Sequence, residues 1–438
     1  REGLTADDIR FSDSFRQFEP WTRLAAAEWA ASGSLPLWKD QSMLGAPLLG
    51  NGQSALLYPP HWLAIALGAP PSSHGWRGLT TLVTGALATW LLARHLRCGF
   101  VASLIAGACF GFYGFNIAYL KWPHSNVSCL FPLIVLTTLR VVQSPTRARL
   151  VALAAACALQ HLGGHPETAL LSQLTAFALG FFRARQLLSG WAAPCRRVAY
   201  VAAGFVLGAL LGGPQLVPLI EYLQLSEAFS ERSVQITQRL TPSATVTGGV
   251  LICLCIAGLA GRRLLGRPRA VLPWAALLFA ALVVSTRLML NGGGSLDHLV
   301  GLLSADWLGG PERLRPPLGY SQAASLYPGP ALALSLAGLV LGTSLGWTRL
   351  CIGTLLVGFL VQSRTPGLQQ LLESVPVVGL MPSSRVAMVT QLALALLAAL
   401  GYDALRRPAR ERARRTVLAL FMVLVLAGVT SLAWATFD

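Results

Sequence analysis

Apolar stretches of roughly twenty residues recur along almost the whole chain, each closed by an Arg cluster or a Pro-Gly break. A helix of about twenty apolar residues is what it takes to cross the ~30 Å hydrocarbon core of a bilayer. Lipid offers no hydrogen-bond partners, so a spanning backbone must satisfy itself as helices or as a closed barrel. These runs are too long for barrel strands and do not alternate, which leaves helices. Spans are expected at 75–96, 100–120, 124–141, 148–163, 166–183, 197–222, 245–261, 270–290, 326–347, 349–362, 384–404 and 415–436. The apolar stretch from Tyr58 to Leu67 is too short to cross and reads as a juxtamembrane or re-entrant helix. The expected fold is thus an all-α polytopic bundle of twelve visible helices. The chain opens on Arg1 in loop-like sequence, so a thirteenth helix is expected upstream.

Composition and charge narrow the class further. The chain is 54% hydrophobic and 12% charged, with mean hydropathy +0.58, against about 25% charged in a soluble domain. The net charge of +16 does not point to nucleic acid, because its Arg residues sit in short connections between spans. With the first loop outside, the clusters Arg94–Arg97, Arg140–Arg149, Arg183–Arg197, Arg262–Arg269 and Arg406–Arg415 fall inside. The only acidic residues on that side are Asp403 and Glu411. This is the positive-inside pattern, and it places the first loop away from the cytoplasm. The eight cysteines form no CxxC pair and mostly lie within apolar runs, which reads as small buried hydrophobes rather than disulfides or metal ligands.

Residues 1–74 form an expected outer loop ahead of a helical domain, 75–438, whose other long outer segments are 223–244, 291–325 and 363–383. The inner connections are short, with no Gly-rich phosphate loop. Chemistry is therefore expected on the outer face, where nucleotides are scarce and a lipid-attached donor is the natural reactant. Asp13, flanked by Phe11 and Phe15 with Arg16 three residues on, is the best-placed carboxylate to act as a general base or to hold a divalent cation such as Mg or Mn. A solvated loop charge is the plainer alternative. Trp38 suits either stacking on a sugar ring or anchoring at the interface.

His161-Leu162-Gly163-Gly164-His165-Pro166-Glu167 marks a helix break between two spans. There His165 or Glu167 has the chemistry to bind a phosphate or position an acceptor; the alternative for Glu167 is a favourable charge in the first turn of the next helix. Glu221 closes another span and Arg232 follows it. Arg385, at the start of a span, is suited to a lipid phosphate, or to simple snorkelling.

The order of short motifs resembles the YfhO-type bacterial membrane proteins of the GT-C glycosyltransferase superfamily. The matching elements are Asp13, Gln17 and Pro20-Trp21; Gly33-Ser34-Leu35-Pro36-Leu37-Trp38; Gly45-Ala46-Pro47; Tyr58-Pro59; Gly164-His165-Pro166-Glu167; Pro218 to Arg232; Tyr327-Pro328-Gly329; and Pro382 to Arg385. The resemblance implies a GT-C-like bundle in the bacterial cytoplasmic membrane and inverting transfer of a sugar from a polyprenyl-phosphate carrier to a glycan, lipid or cell-wall acceptor. It also implies an essential acid at Asp13. Lys39-Asp40 departs from the Asn-Pro expected after Trp38. Two other classes fit the composition: a transporter or flippase of lipid-linked glycans, and a non-catalytic assembly protein.

Overall fold

The computed structural model describes residues 13–40, 45–68, 70, 72–226, 345–362, 368–374 and 383–406, with single positions at 332, 334, 335, 337, 338 and 381. Two compact units divide the chain: residues 1–112 with 116–231, and residues 113–115 with 232–438.

In the first unit a π-helical turn (Ser14–Phe18) runs into α1 (Glu19–Ser32). A two-residue antiparallel clip follows, β1 (Trp38–Lys39) with β2 (Ala46–Pro47), pairing Trp38 with Pro47 and Lys39 with Ala46. Then come α2 (Pro59–Leu67), α3 (Ser73–His95), α4 (Phe100–Gly111), α5 (Gly114–Ala118, its first two residues counted with the second unit), α6 (Pro123–Ser128), α7 (Phe131–Gln143), α8 (Arg147–Leu162), α9 (Pro166–Leu187), α10 (Ala192–Leu211) and α11 (Gly213–Gln224). Proline occupies the first turn of α2, α6, α7, α9 and α11. Its missing N–H costs nothing there and its fixed φ suits a helix start. The second unit holds α12 (Leu345–Gln362), α13 (Leu368–Glu373) and α14 (Ala387–Leu405), the last entered through a 3₁₀ turn, Ser383–Val386. Within it α12 packs on α14, and Ser335 Oγ donates to the Leu394 carbonyl at 2.8 Å.

Among the described residues four helical stretches are long and apolar enough to cross a membrane: Phe100–Ala118, Pro123–Gln143, Ala192–Leu211 and Ala387–Leu405. The distribution of residues fits lipid as the surrounding solvent. Large apolar side chains face outward, with Leu210 70% and Val206 60% exposed, while Thr89, Ser103, Thr138, Gln160 and Ser172 are fully buried. Small residues let helices approach closely, as membrane helices do. A Cβ at Gly107 of α4 would stand 2.7 Å from the Ala86 carbonyl of α3, and one at Gly208 of α10 would stand 2.8 Å from the Ala154 carbonyl of α8. The chain is an all-α membrane protein.

Connections in the first unit gather at two ends. At the basic end, arginines occupy the carbonyls that helix C-termini leave open. Arg149 donates to the carbonyls of Arg140 (2.9 Å) and Ser144 (3.0 Å), Arg94 to that of Cys98 (2.6 Å), and Arg197 to that of Gln143 (3.5 Å). The opposite end, here the loop end, receives residues 45–58.

Several boundaries differ from the sequence reading. Residues 19–32 of the expected first loop are helical: Pro20 suits the first turn, the Ala-rich run propagates it, and Gly33 at φ 69° closes it with its N–H on the Trp29 carbonyl. The expected single span 197–222 is two helices broken at Gly212, with Pro214 opening the second. The stretches 100–120 and 124–141 are each divided as well, at residues 112–113 and 129–130. The expected spans 245–261, 270–290 and 415–436, most of 326–347, and the outer segment 291–325 lie outside the described residues. So does almost all of 223–244 and much of 363–383.

Candidate functional site at the loop end

The first-loop segment is fastened by its backbone. Leu48 and Leu49 donate to the Leu37 carbonyl, Ser54 Oγ donates to the Leu48 carbonyl at 2.8 Å, and Gln215 Nε2 of α11 donates to the Leu49 carbonyl at 2.8 Å. Leu48, Ala55 and Leu56 are each 1% exposed. Tyr58 is equally enclosed, and its hydroxyl donates to the Asn126 carbonyl at 3.2 Å. Burial, followed by the neighbouring Cys129 thiol, pushes the Tyr58 phenol well above its ordinary range despite the opposing pull of Arg77, so it stays a neutral donor.

Beneath this segment lies the break between α8 and α9. Gly164 has φ 92°, a left-handed conformation that suits glycine. A Cβ there would also stand 2.9 Å from the Gly52 carbonyl oxygen. Asn126 Nδ2 donates to the Gly163 carbonyl at 3.2 Å, and Gln160 Nε2 to the Val127 carbonyl at 3.1 Å. The break is thus held from α6, and loop residues 52–55 close over it.

At this junction three rings form a column. Tyr119 stacks on His124 with centroids 4.6 Å apart, and His124 stacks on His165 at 3.7 Å. His165 caps α9: its Nδ1 accepts from the Thr168 N–H at 3.3 Å and lies 2.8 Å from Thr168 Oγ1. An Nδ1 that accepts from a backbone N–H leaves the ring proton on Nε2, so His165 is set as an Nε2–H donor. Trp122 meets Tyr119 edge to face at 6.1 Å, and its indole N–H donates to Asp13 Oδ2 at 3.3 Å. A chain of contacts therefore runs from the exposed carboxylate of Asp13 through Trp122 and Tyr119 to His124 and His165.

The expected site residues divide accordingly. Asp13 and His165 are joined by this chain. Arg16 is exposed in the π-helical turn beyond Asp13. Glu167 is half-buried in the first turn of α9, where negative charge meets the positive end of the helix dipole. Trp38 is 52% exposed on β1, its indole lying against Gly45. Glu221 is exposed on α11. Arg385 belongs to the second unit, half-buried in the 3₁₀ turn before α14. Arg232 lies outside the described residues.

Tyr119, Trp122, His124 and Asn126 belong to the site but were not singled out in the sequence. Their signal was the polar run Pro123-His124-Ser125-Asn126 at the mouth of an otherwise apolar span. Among the described residues no group of three or more His, Cys, Asp or Glu side chains is placed to hold a metal. A divalent cation at this end would have the Asp13 carboxylate as its protein ligand and water for the rest of its shell, a mode of binding open to Mg²⁺. No protein-family model matches this sequence, and a search of curated proteins finds no match.

Proposed function

We propose that the protein is a membrane glycosyltransferase that moves a sugar from a polyprenyl-phosphate carrier to an extracytoplasmic acceptor, with inversion at the anomeric carbon. One observation carries this reading: a carboxylate, an aromatic surface and an imidazole donor are held together where a loop closes over a helical membrane bundle. In the proposed step the acceptor hydroxyl oxygen attacks the anomeric carbon and its proton passes to Asp13. The bond from that carbon to the phosphate oxygen breaks, and the electron pair leaves on the polyprenyl phosphate. His165 offers its Nε2–H to the departing phosphate. Stabilising charge that develops in the transition state is where most of the rate gain arises. Trp122 and Trp38 offer faces for a sugar ring, while Glu167, Glu221 and Arg16 are polar contacts for the carrier head or acceptor. In this reading the site faces the outer side of a bacterial cytoplasmic membrane, which the Arg clusters at the opposite helix ends support.

The test is transfer from a polyprenyl-phosphate sugar to lipid or glycan acceptors by purified protein in nanodiscs, comparing the native chain with Asp13→Asn. Transfer by the native chain and its loss in the variant support the reading. Movement of the intact lipid-linked glycan across vesicles without transfer would replace it with the flippase reading. Absence of both activities would favour an assembly role.

A further inference from the structure

A second polar cluster lies at the loop end, apart from the residues assigned to transfer. α2 packs along the start of α3. Their contact buries His61 (3% exposed), Ser73 (3%) and Arg77 (4%), with His74 half-buried beside them. The Arg77 guanidinium donates through Nη2 to the Lys121 carbonyl at 3.0 Å. Its Nε has no hydrogen-bond partner among the described residues, and the same holds for His61 Nδ1, Ser73 Oγ and His74 Nε2.

These groups sense one another. Burial first, then the charges of Arg77 and His74, push the His61 imidazole down to about 3, so at neutral pH it is uncharged. No carboxylate among the described residues pairs with Arg77. Glu19, whose charge reaches His74, is committed to Arg23 at 2.6 Å. Tyr58, whose phenol feels Arg77, stays neutral. A buried guanidinium with one neutral backbone partner is costly unless an anion meets it. Its planar fork, two imidazoles, a hydroxyl and the open N–H groups of the first turn of α3 are together the donor set that a phosphoryl group accepts from.

We infer that His61, Ser73, His74 and Arg77 form a binding site for a phosphoryl anion, presented either as a lipid phosphate headgroup or as free phosphate. The site does not depend on the glycosyl-transfer reading, because none of its residues has a role there.

The experiment measures binding to the full chain in phosphatidylcholine nanodiscs, with inorganic phosphate as one probe and phosphatidic acid doped into the nanodisc as the other. Saturable binding of either probe is expected. It should weaken by about tenfold or more in Arg77→Gln, the loss of a charge-assisted fork, and by a few-fold in His61→Gln combined with His74→Gln. His95→Gln, at the other end of α3, should bind as the native chain does. Phosphatidic acid binding alone identifies a lipid headgroup, and equal binding of both identifies free phosphate. No saturable binding of either probe overturns the site, as does native affinity in Arg77→Gln. If Arg77→Gln fails to fold, the histidine double variant decides: native affinity there overturns the proposal and weakened binding supports it.

Discussion

The indole N–H of Trp122 reaches Asp13 Oδ2 at 3.3 Å, joining two residues 109 positions apart. Without this bond the best-placed carboxylate in the first loop would be an exposed charge with no fixed direction. Asn in place of Asp13 keeps an oxygen to accept the indole proton and removes the basic carboxylate. Asp13→Asn is therefore expected to abolish the proposed glycosyl transfer with the melting temperature unchanged. Trp122→Phe keeps a ring but loses the donor. It should reduce transfer by about tenfold, in the range that positioning of a catalytic group supplies, while changing stability by no more than about 1 kcal/mol. Kinetics and thermal melts on the two variants check both statements.

Gly164 combines a φ of 92° with a Cβ position 2.9 Å from the Gly52 carbonyl, whereas Gly33 has φ 69° and nothing within 4 Å. Gly33→Ala should cost only the left-handed backbone penalty, about 1 kcal/mol. Gly164→Ala should cost more, about 2–4 kcal/mol, because the loop must also move off the helix break. The difference in melting temperature between the two variants measures that closure.

Tyr58→Phe removes a buried hydroxyl from the Asn126 carbonyl, which still accepts from the Cys129 thiol at 3.2 Å. The expected loss is about 0.5–1.5 kcal/mol, one net hydrogen bond without a fully orphaned acceptor. Chemical denaturation in detergent gives the value.

His61 also makes stability depend on acidity. Its pKa falls from 6.5 to about 3 in the folded chain, so between those values the unfolded chain binds a proton that the folded chain refuses. Stability at this residue is intact above about pH 6.5 and declines as the pH drops toward 3, by at most ~1.4 kcal/mol per pH unit. His61→Gln should flatten the fall in melting temperature over that window. An unchanged slope would show that other groups govern it.

Much of the architecture was legible in the sequence because its causes are local. The apolar run from Val198 to Leu211 declares a membrane helix, and Gly163-Gly164 before Pro166 marks a break and a new helix start, whereas the starts at Pro132 and Pro214 fell inside the expected spans 124–141 and 197–222 and were not read. Glu167 falls in a first turn as its position beside Pro166 foretold. Residues 19–32 were also readable as a helix from Pro20, an Ala-rich run and Gly33, but the surrounding turn formers masked that signal.

Tertiary structure alone decided what meets at the loop end. Nothing in the spacing of Asp13, Trp122, His124 and His165 says that they share a neighbourhood, since periodicity reports one helix at a time. Which helix ends lie side by side depends on close crossings such as Gly107 on Ala86 and Gly208 on Ala154. The placement of Arg77 was likewise invisible: as a sequence it is one basic residue near a span boundary, and only the packing of α2 over α3 buries it. Segregating apolar from polar residues requires composition alone, whereas aligning donors and acceptors requires the folded contacts that bring distant segments within reach.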